Sequence, residues 1–163
     1  CQDNNIRIYR GDLQNVADRF FHALKAYPCS RFVRICGDSP FIDPNLLSHA
    51  SEISISKNTD LVTNVFPKTY PKGQSVEVFK TKTFLDTFDK IHTIFDKEHV
   101  TPFFYRNRNL FNIVNFSNAT NMNDVQTSID TDSDFRIAEQ YIKDFSLLTS
   151  WQAATKALSH LNK

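Results

Sequence analysis

The sequence predicts an α/β fold with a parallel or mixed sheet, on three observations. Strand-like and helix-like patterns alternate through the first half of the chain. Two helix starts, Asp43-Pro44 and Thr101-Pro102, place a capping residue directly before a proline, where the first helical turn needs no N–H. The apolar run Arg31-Phe32-Val33-Arg34-Ile35-Cys36 breaks at Gly37, and an acid, Asp38, follows at once. In open α/β sheets the ligand lies beyond the carboxyl ends of the strands, so Asp38 stands where a carboxylate can hold a hard cation beside a phosphate. The same Gly-Asp pair is also an ordinary strand-ending turn.

Taken in order, Ile6 to Arg10 alternates apolar and charged residues and reads as a short strand, with Asp12 as cap of a helix at about 13–27. Val16, Phe20, Ala23, Leu24 and Tyr27 supply that helix with an apolar stripe, and Pro28 stops it. The central strand follows at about 31–36, then a helix from Pro44 with Leu46, Leu47 and Ala50 on its apolar side. Residues 59–65 read as a strand, 67–75 as a loop punctuated by Pro67, Pro71 and Gly73, and 76–79 as a strand again. Lys82 to His92 has a helical pattern, Phe111 to Phe116 that of a strand, and Val125 to Ile129 is a further strand candidate. Thr131, with Asp134 three residues on, suits a capping box for a last long helix bearing Phe135, Ala138, Tyr141, Ile142 and Phe145. Residues 146–163 read as a helical extension of a single domain, 1–163.

The 163 residues suffice for one domain with a sizeable core, and 40% hydrophobic with 23% charged residues is an ordinary globular composition. A net charge of +1 gives no reason to expect nucleic acid or an anionic membrane as partner, and no apolar run approaches the ~20 residues of a membrane span. The opening, Cys1-Gln2-Asp3-Asn4-Asn5, has no signal-peptide pattern, and a start at Cys1 suits a processed chain or a fragment. Three cysteines, Cys1, Cys29 and Cys36, form no CxxC pair, which favours reduced thiols in a cytoplasm over disulfides or zinc.

Asp130-Thr131-Asp132 is the natural partner of Asp38, since it also follows an apolar run and precedes a helix. Asp38 and Asp130 at one sheet edge could share a Mg²⁺ ion, which typically takes one or two carboxylates plus substrate phosphates. Acids at a helix start also suit the helix dipole without any metal. Arg10, Arg19 and Arg34 are the candidate partners for phosphate or carboxylate. The loop Thr69-Tyr70-Pro71-Lys72-Gly73-Gln74-Ser75, followed by Glu77, offers stacking, cationic and carboxylate groups, and His99 precedes the Thr101-Pro102 helix start. No nucleophile elbow, HExxH zinc pattern or Walker loop occurs.

The ordered set Tyr9-Arg10-Gly11-Asp12, Val16-Ala17-Asp18-Arg19-Phe20, Val33-Arg34-Ile35-Cys36-Gly37-Asp38-Ser39-Pro40 with Ile42-Asp43-Pro44 opens a recognisable series. Asn64-Val65, Tyr70-Pro71-Lys72-Gly73, Val76-Glu77-Val78-Phe79, Glu98-His99-Val100-Thr101-Pro102 and Ile129-Asp130-Thr131 continue it. The series resembles the cytidylyltransferase family of spore-coat polysaccharide biosynthesis proteins, relatives of acylneuraminate and 3-deoxy-manno-octulosonate cytidylyltransferases. The resemblance runs from about Ile6 to Phe145.

It implies a nucleotide-diphosphosugar-transferase-like (Rossmann-like) α/β fold, a mixed sheet flanked by helices. It also implies a reaction in which CTP and an acidic sugar give a CMP-sugar and pyrophosphate with Mg²⁺. By resemblance Asp38 and Asp130 would be the catalytic, metal-binding acids. Arg10, Arg34, Tyr70, Lys72, Glu77 and His99 would lie on the sugar and phosphate side. Related enzymes are commonly dimers, so a homodimer is the expected form. The family's opening strand and basic, glycine-containing CTP loop have no counterpart here, so the chain compares with an N-terminally truncated domain, roughly its carboxyl-terminal two-thirds. Gln126-Thr127-Ser128 stands where the family usually has an arginine and an aromatic, and Asp130-Thr131-Asp132-Ser133-Asp134 lacks the usual proline. Two rival expectations are a truncated, non-catalytic binding or assembly partner of such an enzyme, and a glycosyltransferase of similar fold.

Overall fold

The structure, a computed structural model, describes residues 4–144 and 150–161. The chain divides into two compact units: Cys1–Phe32 with Lys80–Asn112, and Val33–Phe79 with Ile113–Lys163.

The first unit is helical and phenylalanine-rich. Its helices are α1 (Val16–Ala26), α3 (Thr81–Thr87) running into a 3-10 turn at Phe88–Lys90, α4 (Ile94–His99) and α5 (Pro102–Arg106). Helix α1 is capped three residues later than expected, at Asn15 instead of Asp12. Asn15 Oδ1 accepts from Asp18 N–H at 3.1 Å, while Asp12 Oδ1 turns the chain beforehand by accepting from Gln14 and Asn15 N–H. The expected strand at 6–10 does not form. Its alternating residues have no neighbouring strand to bury them, and Ile6 stays 59% exposed.

Helix α4 has no expected counterpart. It is built on a capping box in which Thr93 Oγ1 accepts from Asp96 N–H and donates to Asp96 Oδ2. Asp96 also takes Arg106, tying α4 to α5, and that guanidinium with the Thr93 hydroxyl holds the buried carboxyl below its usual range against the opposing effect of burial. Phe84 sits at the centre of the core, with Phe20, Phe32 and Phe104 around it at ring separations of 6.4, 5.4 and 6.4 Å, two of them edge-to-face.

The strands are β1 (Arg31–Arg34), β2 (Leu61–Thr63), β3 (Glu77–Lys80) and β4 (Ile113–Asn115), in the order β1-β3-β2-β4, and all but Arg31, Phe32 and Lys80 belong to the second unit. Strand β2 pairs antiparallel with β3 and parallel with β4, so the sheet is mixed. All three β2 residues are buried, as a strand covered on both faces requires. Helix α2 (Pro44–Ser56) packs on β2 and is capped as expected by Asp43, whose Oδ1 accepts from Asn45 N–H at 2.8 Å. Asp43 Oδ2 accepts from Trp151 N–H, so one carboxylate fixes the starts of α2 and α7 (Trp151–Leu161). Leu46, Ala50, Val62, Val76, Val78, Phe116 and Trp151 make the main core.

Helix α6 (Asp132–Asp144) has the expected capping box, with Asp134 N–H donating to Thr131 Oγ1 and Asp134 Oδ2 accepting from the N–H of Asp130 and Thr131. Ala138 and Tyr141 are buried with Phe41 and Ala154, whereas Phe135 and Ile142, expected on the apolar side, are exposed. Phe145, and residues 146–149, 162 and 163 of the expected extension, lie outside the described residues.

Residues 125–129 form no strand. They make a single parallel bridge, Lys72 with Gln126, and are otherwise pinned to the loop between β2 and β3. That loop is organised by Gln74, which is wholly buried. Its Nε2 donates to Phe41 C=O at 2.8 Å and Thr127 Oγ1 at 3.1 Å, and its Oε1 accepts from Asp43 N–H at 3.0 Å. Asn64 completes the set, donating to Gln74 C=O and accepting from Val76 N–H.

Two substitutions test these buried contacts by urea denaturation. Gln74→Ala leaves Asp43 N–H and Phe41 C=O without their partner in a dry site, and is expected to cost about 2–4 kcal/mol. Arg34 Nη1 meets Glu77 Oε2 at 2.6 Å with the Glu77 side chain only 3% exposed. Arg34→Ala removes that cation from a buried carboxylate and is expected to cost about 3 kcal/mol, most of it recovered in Arg34→Met/Glu77→Leu. A change below about 1 kcal/mol in either single variant contradicts the assignment.

Candidate functional site at the carboxyl edge of the sheet

Parallel pairing sets the location. Strands β2 and β4 leave the sheet at the same edge, so the loop after β2 and the segment after β4 run side by side. Phe116 N–H donates to Thr63 C=O, and Asn115 holds both Phe66 N–H and Pro67 C=O. Further out, Thr69 C=O accepts from Met122 N–H, Thr69 Oγ1 accepts from Asn118 N–H, and Lys72 exchanges backbone bonds with Val125 and Thr127. Gly73 (φ 91°) permits the closest approach: a Cβ there would lie 2.6 Å from Ser128 N.

The turn after β1 joins the same edge. Ile129 N–H donates to Asp38 C=O at 2.8 Å, which sets the residue preceding Asp130 directly on Asp38. Both aspartates are exposed. Asp38 Oδ1 accepts from Ser39 Oγ at 2.8 Å, and Asp130 Oδ2 accepts from Gln126 Nε2 and Ser128 Oγ. Each acid thus uses one oxygen to orient its carboxylate. Nothing lies within 4 Å of where a Cβ on Gly37 would be, so the backbone beside Asp38 faces open space.

The other expected site residues are distributed as follows. Arg34 and Glu77 bond one another beneath this edge. Tyr70 is half-buried with its ring edge-on to Phe116 and Trp151, and burial pushes its phenol up. Lys72 is exposed in the pinned loop. Arg10 and His99 belong to the first unit. Arg10 is exposed on the irregular segment before α1, and His99 is exposed at the end of α4 with its ring edge-on to Phe95. Val100 follows at φ 68°, ψ −58°, and Thr101 N–H bonds back to His99 C=O: a γ-turn of the strained kind, held by a wholly buried valine. Arg19 lies along Gly11, its Cγ 2.9 Å from where a Cβ there would be.

Two contributors are missing from the sequence reading. Lys68 is half-buried in the loop, and its pKa is lowered by burial and then by Lys72, with Cys36, Asp130 and Asp38 opposing. Cys36 is pushed up by burial, with Arg34 opposing and Asp38 and Glu77 adding to the rise. The nearest sequence signal for Lys68 is its place four residues before Lys72 in a loop already suspected of ligand contact.

As a cation site the edge offers oxygen donors: the two exposed carboxylates and the Ser39 hydroxyl. Among the described residues no group of three or more His, Cys, Asp or Glu side chains forms a complete metal cage. Two carboxylates without a cage fit Mg²⁺, which keeps waters and substrate phosphates in its shell, better than zinc. No helix among the described residues is long and apolar enough to cross a membrane.

The cytidylyltransferase family profile matches residues 2–160. An uncharacterized protein of Methanocaldococcus jannaschii is 30% identical over 150 residues, covering 91% of this chain and 60% of the relative. The spore coat polysaccharide biosynthesis protein SpsF of Bacillus subtilis is 29% identical over 115 residues, covering 69% of this chain and 46% of SpsF. The chain therefore spans about half to three-fifths of the length of these curated relatives. A solved cytidylyltransferase structure from Leptospira borgpetersenii superposes with a TM-score of 0.90 over 98% of this chain and 68% of that one, at 22% identity, which shows a common fold. With the mixed sheet, the ordered loops at its carboxyl edge and a profile match along nearly its whole length, the chain belongs to the cytidylyltransferase family.

Proposed function

We propose that the protein carrying this chain is a sugar-nucleotide cytidylyltransferase of surface-polysaccharide synthesis, joining CTP to an acidic sugar with release of pyrophosphate. The observation that carries this reading is the backbone bond from Ile129 N–H to Asp38 C=O, which draws two exposed aspartates from distant parts of the sequence to one sheet edge. Family membership and the polysaccharide role in the SpsF name supply its direction.

In this reaction a sugar hydroxyl attacks the α-phosphorus of CTP. The new oxygen–phosphorus bond forms, the bond to the bridging oxygen of pyrophosphate breaks, and the hydroxyl proton is released. Such transfers ask the protein for positioning and charge neutralisation more than covalent chemistry. Mg²⁺ held by Asp38 and Asp130 would supply neutralisation of phosphate charge. Ser39, Gln126 and Ser128 keep the two carboxylates oriented through their hydrogen bonds. Lys72 lies on the same loops and suits substrate anions, whereas Arg34 and Glu77 brace the strands below.

The test is pyrophosphate release from CTP in the presence of Mg²⁺ and either N-acetylneuraminate or 3-deoxy-manno-octulosonate. The protein should include whatever sequence its gene places before Cys1. Asp38→Ala and Asp130→Ala are each expected to lower kcat/KM by about 100-fold or more, and chelation of Mg²⁺ to abolish turnover. An unaffected rate in Asp38→Ala removes the metal assignment. Absence of CMP-sugar, together with no effect of CTP and Mg²⁺ on the melting temperature, replaces the enzyme by a non-catalytic assembly partner.

A further inference from the structure

The first unit exposes apolar side chains that its own packing does not use. Leu13 and Ile94 are 83% and 82% exposed, more than any other large apolar side chain among the described residues, and Phe95 is 55% exposed. Ile94 and Phe95 are the first two residues of α4, and Leu13 stands in the turn that leads into α1. Helices α1 and α4 pack on one another within this unit.

A groove of about 200 Å³ lies between the two helix starts, lined by Asp12, Gln14, Asn15, Ile94 and Lys97. Asp12 and Lys97 give it one charge of each sign, yet neither forms an ion pair with any described residue. Asp12 spends Oδ1 on the N–H groups of Gln14 and Asn15, and its other oxygen takes no hydrogen bond from a described residue. Both sides of the groove are fixed beforehand, one by the Asn15 cap of α1 and the other by the Thr93/Asp96 box and Arg106. A partner docking there would have little to order.

Exposed apolar residues rimmed by polar ones mark contact surfaces. A two-fold interface brings the same patch of two copies together, so such a patch must complement itself. An acid and a base lining one groove meet that condition. With a second copy turned by 180°, Asp12 of each copy can meet Lys97 of the other while the apolar side chains meet their own kind. A partner carrying a single sign of charge would satisfy one of these residues and oppose the other.

We propose that the groove between α1 and α4 is the contact surface of a two-fold homodimer, with Leu13, Ile94 and Phe95 at its apolar centre and Asp12 paired with Lys97 between copies. The surface does not depend on the nucleotidyl-transfer reading above.

The experiment is sedimentation velocity on the protein with whatever sequence its gene places before Cys1. The parent protein is expected to sediment as a dimer. Leu13→Ser and Ile94→Ser are each expected to raise the dimer dissociation constant by about 10-fold or more. Circular dichroism should stay that of the parent, since neither side chain belongs to the core. Lys97→Glu sets like charges opposite one another and is expected to weaken the dimer as well. Adding Asp12→Asn, which keeps the oxygen that turns the chain, should recover part of that loss, as a merely local role for Lys97 would not. A monomeric parent overturns the proposal and leaves the patch to a different protein. A dimer indifferent to Leu13→Ser, Ile94→Ser and Lys97→Glu also overturns it, by placing the interface elsewhere.

Discussion

The carboxyl edge of the sheet depends on the buried side-chain amide of Gln74. Both its donor and its acceptor sides are used, toward Phe41, Thr127 and Asp43. A buried amide satisfied in this way stabilises modestly, but an amide missing from such a site leaves several groups with no water to turn to. Gly73 lets the chain pass against Ser128, and Thr127 Oγ1 bonds Lys72 C=O at 2.6 Å. Those contacts fix 126–128, which brings Ile129 onto Asp38 and so sets Asp130. A glutamine in the core thus determines the spacing of two acids at the surface.

Local chemistry explains which parts of this were legible in the sequence. The Asp43-Pro44 start of α2 and the Thr131/Asp134 box of α6 are set by adjacent side chains, and both are found where the residues put them. The strand runs around 31–36, 59–65 and 111–116 exist but shorten to their paired cores, because strand ends are decided by neighbours. The same dependence explains the two failures. Residues 6–10 alternate correctly and pair with nothing, and 125–129 spend their hydrogen bonds pinning a loop. Asp38 and Asp130 were readable as acids after apolar runs, but the bond from Ile129 N–H to Asp38 C=O that joins their two segments was not. Lys68 was not legible either, because the half-burial of a loop lysine is set by the folded loop and not by its neighbours in sequence.

The pair Arg34–Glu77 shows how this site separates holding from binding. By type, an arginine and a glutamate beside the ligand edge are suited to phosphate and sugar hydroxyls. Here the two are bonded at 2.6 Å with Glu77 almost wholly buried. A substrate group engaging Arg34 would have to replace the carboxylate rather than join it, stranding a buried charge at a cost of about 3–5 kcal/mol. That penalty is comparable to the gain from a good charged hydrogen bond, so recognition through this pair would bring little net affinity. Lys72 carries no such penalty: it is exposed and forms no ion pair with a described carboxylate, so an anion reaching it adds an interaction without breaking one. The buried pair therefore serves best as a brace between β1 and β3 beneath the turn that carries Asp38. An anion is better bound one layer out, where the loop held by Gln74 presents Lys72 with no ion-pair partner among the described residues.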